Sequence, residues 1–214
     1  MAFRTEEKEI KCAVCGKESV QTVVAEYDPD TSVPDLDMRP NEEHRSYLKY
    51  WVSECPHCGY CNASIDIPVR FTKEFLESDK YKNAGGSGLA EKFMKMSLVC
   101  EKNKVYEEAL KACLYAAWYY DDEKDDEKAA ECRRAALKIF DLHKQEFADK
   151  PDYVLLAADL MRRSGDFGRV IRDYKGRLMQ SMLLMALAAF EVELAEKGDS
   201  LCHKADEAKG VALK

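Results

Sequence analysis

The chain has 214 residues, of which 46% are hydrophobic and 34% charged, with 33 Lys and Arg against 40 Asp and Glu for a net charge of −7. That composition is globular rather than disordered and long enough for one good-sized core or two modest ones. The first 72 residues hold 8 basic against 13 acidic side chains, so the basic face that a phosphate backbone calls for is missing.

The start, MAFRTEEKEIK, has no apolar h-region, and the longest apolar run, MLLMALAAF at 182–190, is half of the ~18 residues a membrane span needs. A cytoplasmic protein with no membrane partner is expected. In a reducing compartment the nine cysteines read as metal ligands or core residues rather than disulfides.

In chain order the first signal is CAVCG at 12–16, which returns as CPHCG at 55–59. Each glycine permits the positive φ that lets backbone amides point at the sulfurs, and each turn supplies two thiolates. A tetrahedral zinc needs four, so Cys12, Cys15, Cys55 and Cys58 complete one closed site. Such a site leaves no open position for water, so the zinc is expected to be structural, bracing a small domain by on the order of 10 kcal/mol. Cys61, three residues past Cys58, and His57, inside the second turn, are alternative ligands; otherwise Cys61 is a small strand residue and His57 an exposed loop residue.

Between the turns, ESVQTVVAEYD is rich in β-branched residues and RSYLKYWVSE alternates, so both predict strands. Pro29, Pro34 and Pro40 make 28–43 a loop, and YCNASIDIPVRF predicts a third strand. Residues 73–88, polar and ending in Gly85, Gly86 and Gly88, read as a connector with one short helix.

Amphipathic helices follow, with apolar residues at helical spacing over 109–118, 129–140 and 156–161. The longest pattern runs from Phe167 to Leu194, and Gly176 inside it predicts a kink or break. Gly198 reads as a stop, with Asp199 or Ser200 capping a last helix over 200–212.

LMRRSGDFGRVIRDY at 160–174 resembles the middle of a tetratricopeptide repeat through Gly165, Asp166, Phe167 and Tyr174; residues 109–140 repeat the idea without the glycine. Such helix pairs form either a groove for a partner segment or a plain bundle. The acidic run at 121–128 lacks EF-hand spacing and reads as a solvated turn. Cys100, Cys113 and Cys132 lie on apolar helix faces and read as core, while Cys202, His203 and His143 would be needed for any second metal site.

The order Cys-x-x-Cys-Gly, DLDMRP, YWVSECPHCGY and then repeat-like helices resembles the bacterial domain-of-unknown-function family 2225. That resemblance implies a soluble bacterial protein with a zinc-ribbon-like part and a helical part, whose cysteine positions fall on Cys12, Cys15, Cys55 and Cys58; it carries no activity over.

The expected architecture is α+β, mostly α: a zinc-ribbon-like β unit over 1–72, a connector over 73–88 and tetratricopeptide-like antiparallel helices over 89–214. No HExxH, GxSxG, P-loop or dinucleotide signature occurs, so the expected function is a non-catalytic module that binds a protein partner, with one structural Zn2+ and no small-molecule substrate. The alternative is a nucleic-acid-associated ribbon in which Arg45 and Lys49 meet phosphates and Tyr47, Tyr50 or Trp51 stack on bases.

Overall fold

In the computed structural model, which describes residues 3–210, strands β1 (Phe3–Lys11) and β2 (Glu18–Tyr27) pair antiparallel from Lys11 opposite Glu18 to Phe3 opposite Tyr27, with a one-residue register shift between Arg4 and Thr5. The first Cys-x-x-Cys-Gly turn closes this hairpin. β2 follows from its Val, Thr and Val run, whereas β1 had no apolar signal: its sequence is mostly charged. It is a strand because the ladder to β2 supplies its hydrogen bonds. A cross-strand Arg4–Glu26 pair at 2.9 Å is exposed and adds little.

Residues 28–41 are irregular, as their prolines require. The strand expected over 45–54 is not formed. Instead α1 (Glu42–Arg45) is followed by a 3-10 turn at Leu48–Tyr50, and only β3 (Ser53–Glu54) pairs, with β4 (Cys61–Asn62). Tyr47 and Leu48 are both buried, and their carbonyls accept from Tyr50 N–H and Trp51 N–H at 2.9 Å each, so the backbone bonds that a strand would offer a neighbour close a local turn instead. The third strand likewise shrinks to β4, because the Asn62 side chain accepts from the Ala63 N–H and diverts the backbone.

The rest is helical among the described residues: α2 (Glu74–Glu77), α3 (Asp79–Lys82), α4 (Gly88–Lys102), α5 (Tyr106–Asp122), α6 (Asp126–Leu142), α7 (Lys144–Phe147), α8 (Pro151–Arg163), α9 (Phe167–Tyr174) and α10 (Met182–Glu196). The fold is thus α+β and mostly α. Cys100, Cys113 and Cys132 are buried, as core cysteines should be. No helix of the described residues is long and apolar enough to cross a membrane.

Four helix ends share one turn. After α4, Lys104 N–H donates to Glu101 O at 3.0 Å and Val105 N–H to Cys100 O at 2.9 Å, and the same pair of bonds recurs at Lys124 and Asp125, Gly165 and Asp166, and Gly198 and Asp199. Each is a Schellman closure with its C′ residue left-handed, at φ +63°, +59°, +85° and +68°. The turn at 121–128 thus closes α5 in the same way, with Lys124 in the left-handed position that glycine holds after α8 and α10.

The break expected at Gly176 is present, with φ +72° after the end of α9. The helix expected over 200–212 is not formed within the described residues: a 3-10 turn at Ala205–Glu207 stands there, and 211–212 lie outside them. Its backbone is taken by a distant segment, since Leu36 N–H donates to His203 O at 2.9 Å and Ala205 N–H to Pro34 O at 3.1 Å.

Packing groups the chain as Met1–Asp30 with Glu42–Ala129 (unit 1) and Thr31–Asn41 with Ala130–Lys214 (unit 2). Leu76 and Tyr81, from the polar-looking stretch, and Val99 of α4 sit in one apolar cluster with Cys12, Cys55, Tyr60 and Ile65, so α2, α3 and α4 complete the core beneath the cysteine turns.

Candidate metal centre

The two cysteine turns are built alike. In the first, Cys12 N–H donates to Lys17 O and Gly16 N–H to Cys12 O, both at 2.9 Å; in the second, Cys55 N–H donates to Tyr60 O and Gly59 N–H to Cys55 O, both at 2.9 Å. Gly16 and Gly59 have φ of +71° and +70°, a conformation that a side chain would strain. The β1–β2 hairpin presents the first turn. The β3–β4 pair, closed by the Glu54–Cys61 register, presents the second.

Their four sulfurs converge. Sγ of Cys12 lies 3.7 Å from that of Cys58, Sγ of Cys15 lies 3.7 Å from that of Cys55, and all four lie within 4.8 Å of one another. Bonded sulfurs stand about 2.05 Å apart, so these are four thiols and not two disulfides. Cys12 and Cys55 are buried and Cys15 and Cys58 half-buried. Among the described residues this is the one group of His, Cys, Asp and Glu side chains disposed to hold a metal ion.

The surroundings act on the thiols unequally. Burial pushes the Cys12 and Cys58 thiols up. Burial also raises Cys15, but the Lys17 backbone N–H and the other three sulfurs outweigh it and bring this thiol below its ordinary value. A cation held among the sulfurs would favour their thiolate forms and displace the protons.

The site rests on groups that the cysteine pattern does not reveal. Ala13 N–H donates to Ile65 O at 2.8 Å, tying the first turn to the chain beyond the second. Tyr81 of α3, 2% exposed, donates its hydroxyl to Gly59 O at 2.7 Å and accepts from Cys61 N–H at 3.0 Å, so it clamps the exit of the second turn. The sequence signal for that placement is Ser78, whose hydroxyl accepts from Tyr81 N–H and caps the four-residue helix.

Cys61 and His57 do not join the cluster. Cys61 is buried on β4 with its thiol directed to Gly59 O at 3.6 Å, and burial pushes it up to about 12, so it is a poorly reactive thiol. His57 is exposed, its Nε2 3.3 Å from Glu18 O. His203 sits between Glu207 and Asp199 at 2.8 and 3.0 Å, and no metal-ligating group forms from it, Cys202 and His143.

The residues considered for nucleic acid are otherwise engaged. Arg45 donates to both oxygens of Asp122 at 3.1 and 3.0 Å, Lys49 lies over the Tyr50 ring, and Tyr47 is buried against Phe3 and Trp51.

The family model described as an uncharacterized protein conserved in bacteria (DUF2225) covers residues 5–186, a span that runs from β1 through both cysteine turns into α10. No curated protein and no solved structure matches the chain. With the matched span holding all four converging cysteines and most of the chain, the protein belongs to this bacterial family.

Proposed function

We propose that Cys12, Cys15, Cys55 and Cys58 bind one Zn2+ in a closed structural site, and that the protein is a non-catalytic, cytoplasmic module that binds another protein. The observation that carries the metal is the sulfur spacing. Four sulfurs around zinc at about 2.3 Å define a tetrahedron with edges of about 3.8 Å, and two edges here measure 3.7 Å. The all-thiolate donor set suits zinc and leaves no coordination position for substrate or water. When bound, the ion supplies charge neutralisation and a cross-link; the residues around it hold the turns.

Support for the interaction role comes from the helices, which pair as hairpins α4–α5 and α8–α9 through the shared turn and leave apolar side chains in solvent. The nucleic-acid alternative loses support, since its arginine is held by Asp122 and one of its rings is buried.

Two measurements test the reading. Elemental analysis of untagged protein should find one zinc per chain, and a cobalt-exchanged form should show the visible bands of a tetrahedral thiolate site; Cys12→Ser or Cys58→Ser should lose both. Metal-free wild-type protein that is fully folded would overturn the site. Affinity capture from the native cell with intact protein should retain a specific protein, and retention of nucleic acid instead would overturn the partner class.

A further inference from the structure

Unit 2 carries a second surface that the metal centre does not use. Helix α10, MLLMALAAFEVELAE, is apolar on nearly every face, the pattern of a helix enclosed on all sides. Yet Met182 at its start is 84% exposed and Leu178, in the segment leading to it, 87%; these are the two most exposed large apolar side chains among the described residues. Leu183 beside them is exposed too.

A cavity of about 330 Å3 opens there, walled by Tyr174, Met185, Ala188 and Val192. A second, of about 440 Å3, is floored by Phe147, Val154 and Met161, and Tyr174 and Arg177 line both. The Tyr174 hydroxyl donates to Val154 O at 2.5 Å, which fixes the ring as a wall. The Arg177 guanidinium lies 5.2 Å over that ring.

Charge distinguishes this face. In a chain of net −7, residues 169–177 hold four cations and one carboxylate. Arg169 is held by Asp141, Arg172 by Asp173 and Lys175 by Glu196. No carboxylate of the described residues forms an ion pair with Arg177, which lines both the mainly apolar smaller cavity and the larger one, where Lys144, Arg169 and Asp173 also stand.

We propose that this face docks an acidic amphipathic helix of a protein partner, its apolar side chains entering the cavities beside Leu178 and Met182 and a carboxylate pairing with Arg177. An apolar groove with a cationic rim is complementary to such a segment. A second copy of the chain is the poorer occupant, because a two-fold contact about this rim would bring the Arg177 side chains of both copies together. The proposal rests on the protein-interaction reading above and names its surface and the partner's chemistry.

The test is a selection of random peptides of about 16 residues, displayed on phage, against the intact metal-loaded protein. Enriched sequences should carry apolar residues at i, i+3 or i+4 and i+7 with net negative charge. Their binding, read by fluorescence anisotropy, should weaken about tenfold or more in Arg177→Glu and again in Leu178→Ser with Met182→Ser, all exposed changes that should leave thermal unfolding in place.

No enrichment, basic or uncharged winners, or equal binding to the variants would overturn the proposal, as would a wild-type dimer in sedimentation velocity that Met182→Ser abolishes. A native protein captured equally by wild type and both variants would leave the module reading standing while removing this surface. Absence of any captured protein would remove the module reading itself.

Discussion

The core of unit 1 under the cysteine turns and the core of unit 2 both contain polar groups that an apolar interior does not welcome, and they differ in what answers those groups. In unit 1 four sulfurs converge on a position that could hold a metal ion. In unit 2 the charges answer one another. Arg162, fully buried, donates Nε to Glu191 at 2.6 Å, Nη2 to Asp159 at 2.7 Å and Nη1 to the carbonyls of Asp199 and Leu201 at 3.0 and 2.7 Å. Arg133 and Arg163 both reach Asp37, at 3.3 and 3.0 Å. With zinc bound as proposed, one core would draw on a ligand from outside, whereas the other draws on ion pairs among its own side chains.

The largest test of that contrast is metal removal. Chelation under reducing conditions, or Cys55→Ser, should take away about 10 kcal/mol of coupled folding free energy. Amide exchange should then reach the free-peptide rate over 10–17 and 54–62 while 151–163 stays protected; equal loss in both would break the contrast. Next comes Arg162→Ala, which leaves two buried carboxylates and two carbonyls without their donor and should cost about 3–5 kcal/mol in urea unfolding. Zinc content should not change.

A smaller effect concerns pH. Burial, helped by Asp159 and opposed by Arg162, pushes Glu191 up to about 8 from an ordinary 4.5. The native state then keeps a proton that the unfolded chain has released, so stability is full below about 4.5 and declines as pH rises towards 8. Thermal unfolding of Glu191→Gln across this range should lack that decline. Oε1 of Glu191 and Oδ1 of Asp159 have no hydrogen-bond partner among the described residues, and burial raises Asp159 as well.

The smallest effect is at Lys124, a non-glycine residue with φ +59°. Lys124→Gly should stabilise by up to about 1 kcal/mol in chemical unfolding, because glycine adopts this conformation without the side-chain clash. Gly165→Lys should do the reverse.

How much of this is legible in the sequence depends on how local the cause is. The four cysteines, the break at Gly176 and the buried Cys113 follow from spacing and period, which act within a few residues. RSYLKYWVSE misleads because alternating aromatics describe a strand, whereas Tyr47 packs on Phe3 and Trp51 from within a turn. β1 is silent because its partner, not its composition, makes it a strand. The helix expected after Asp199 fails for a cause about 170 residues away: Pro34 and Leu36 bond the backbone of Ala205 and His203, and Arg162 takes the carbonyls of Asp199 and Leu201. Nothing in the local pattern announces a competitor at that distance.

The Tyr81 clamp bears on how the cysteine motif could be moved or cut. A fragment ending at residue 72 would retain every sulfur yet forfeit the phenol that secures Gly59 and Cys61, together with the α4 side chains beneath them. The smallest transplantable cassette accordingly extends to about residue 102, and grafts shorter than that should grip their ion loosely.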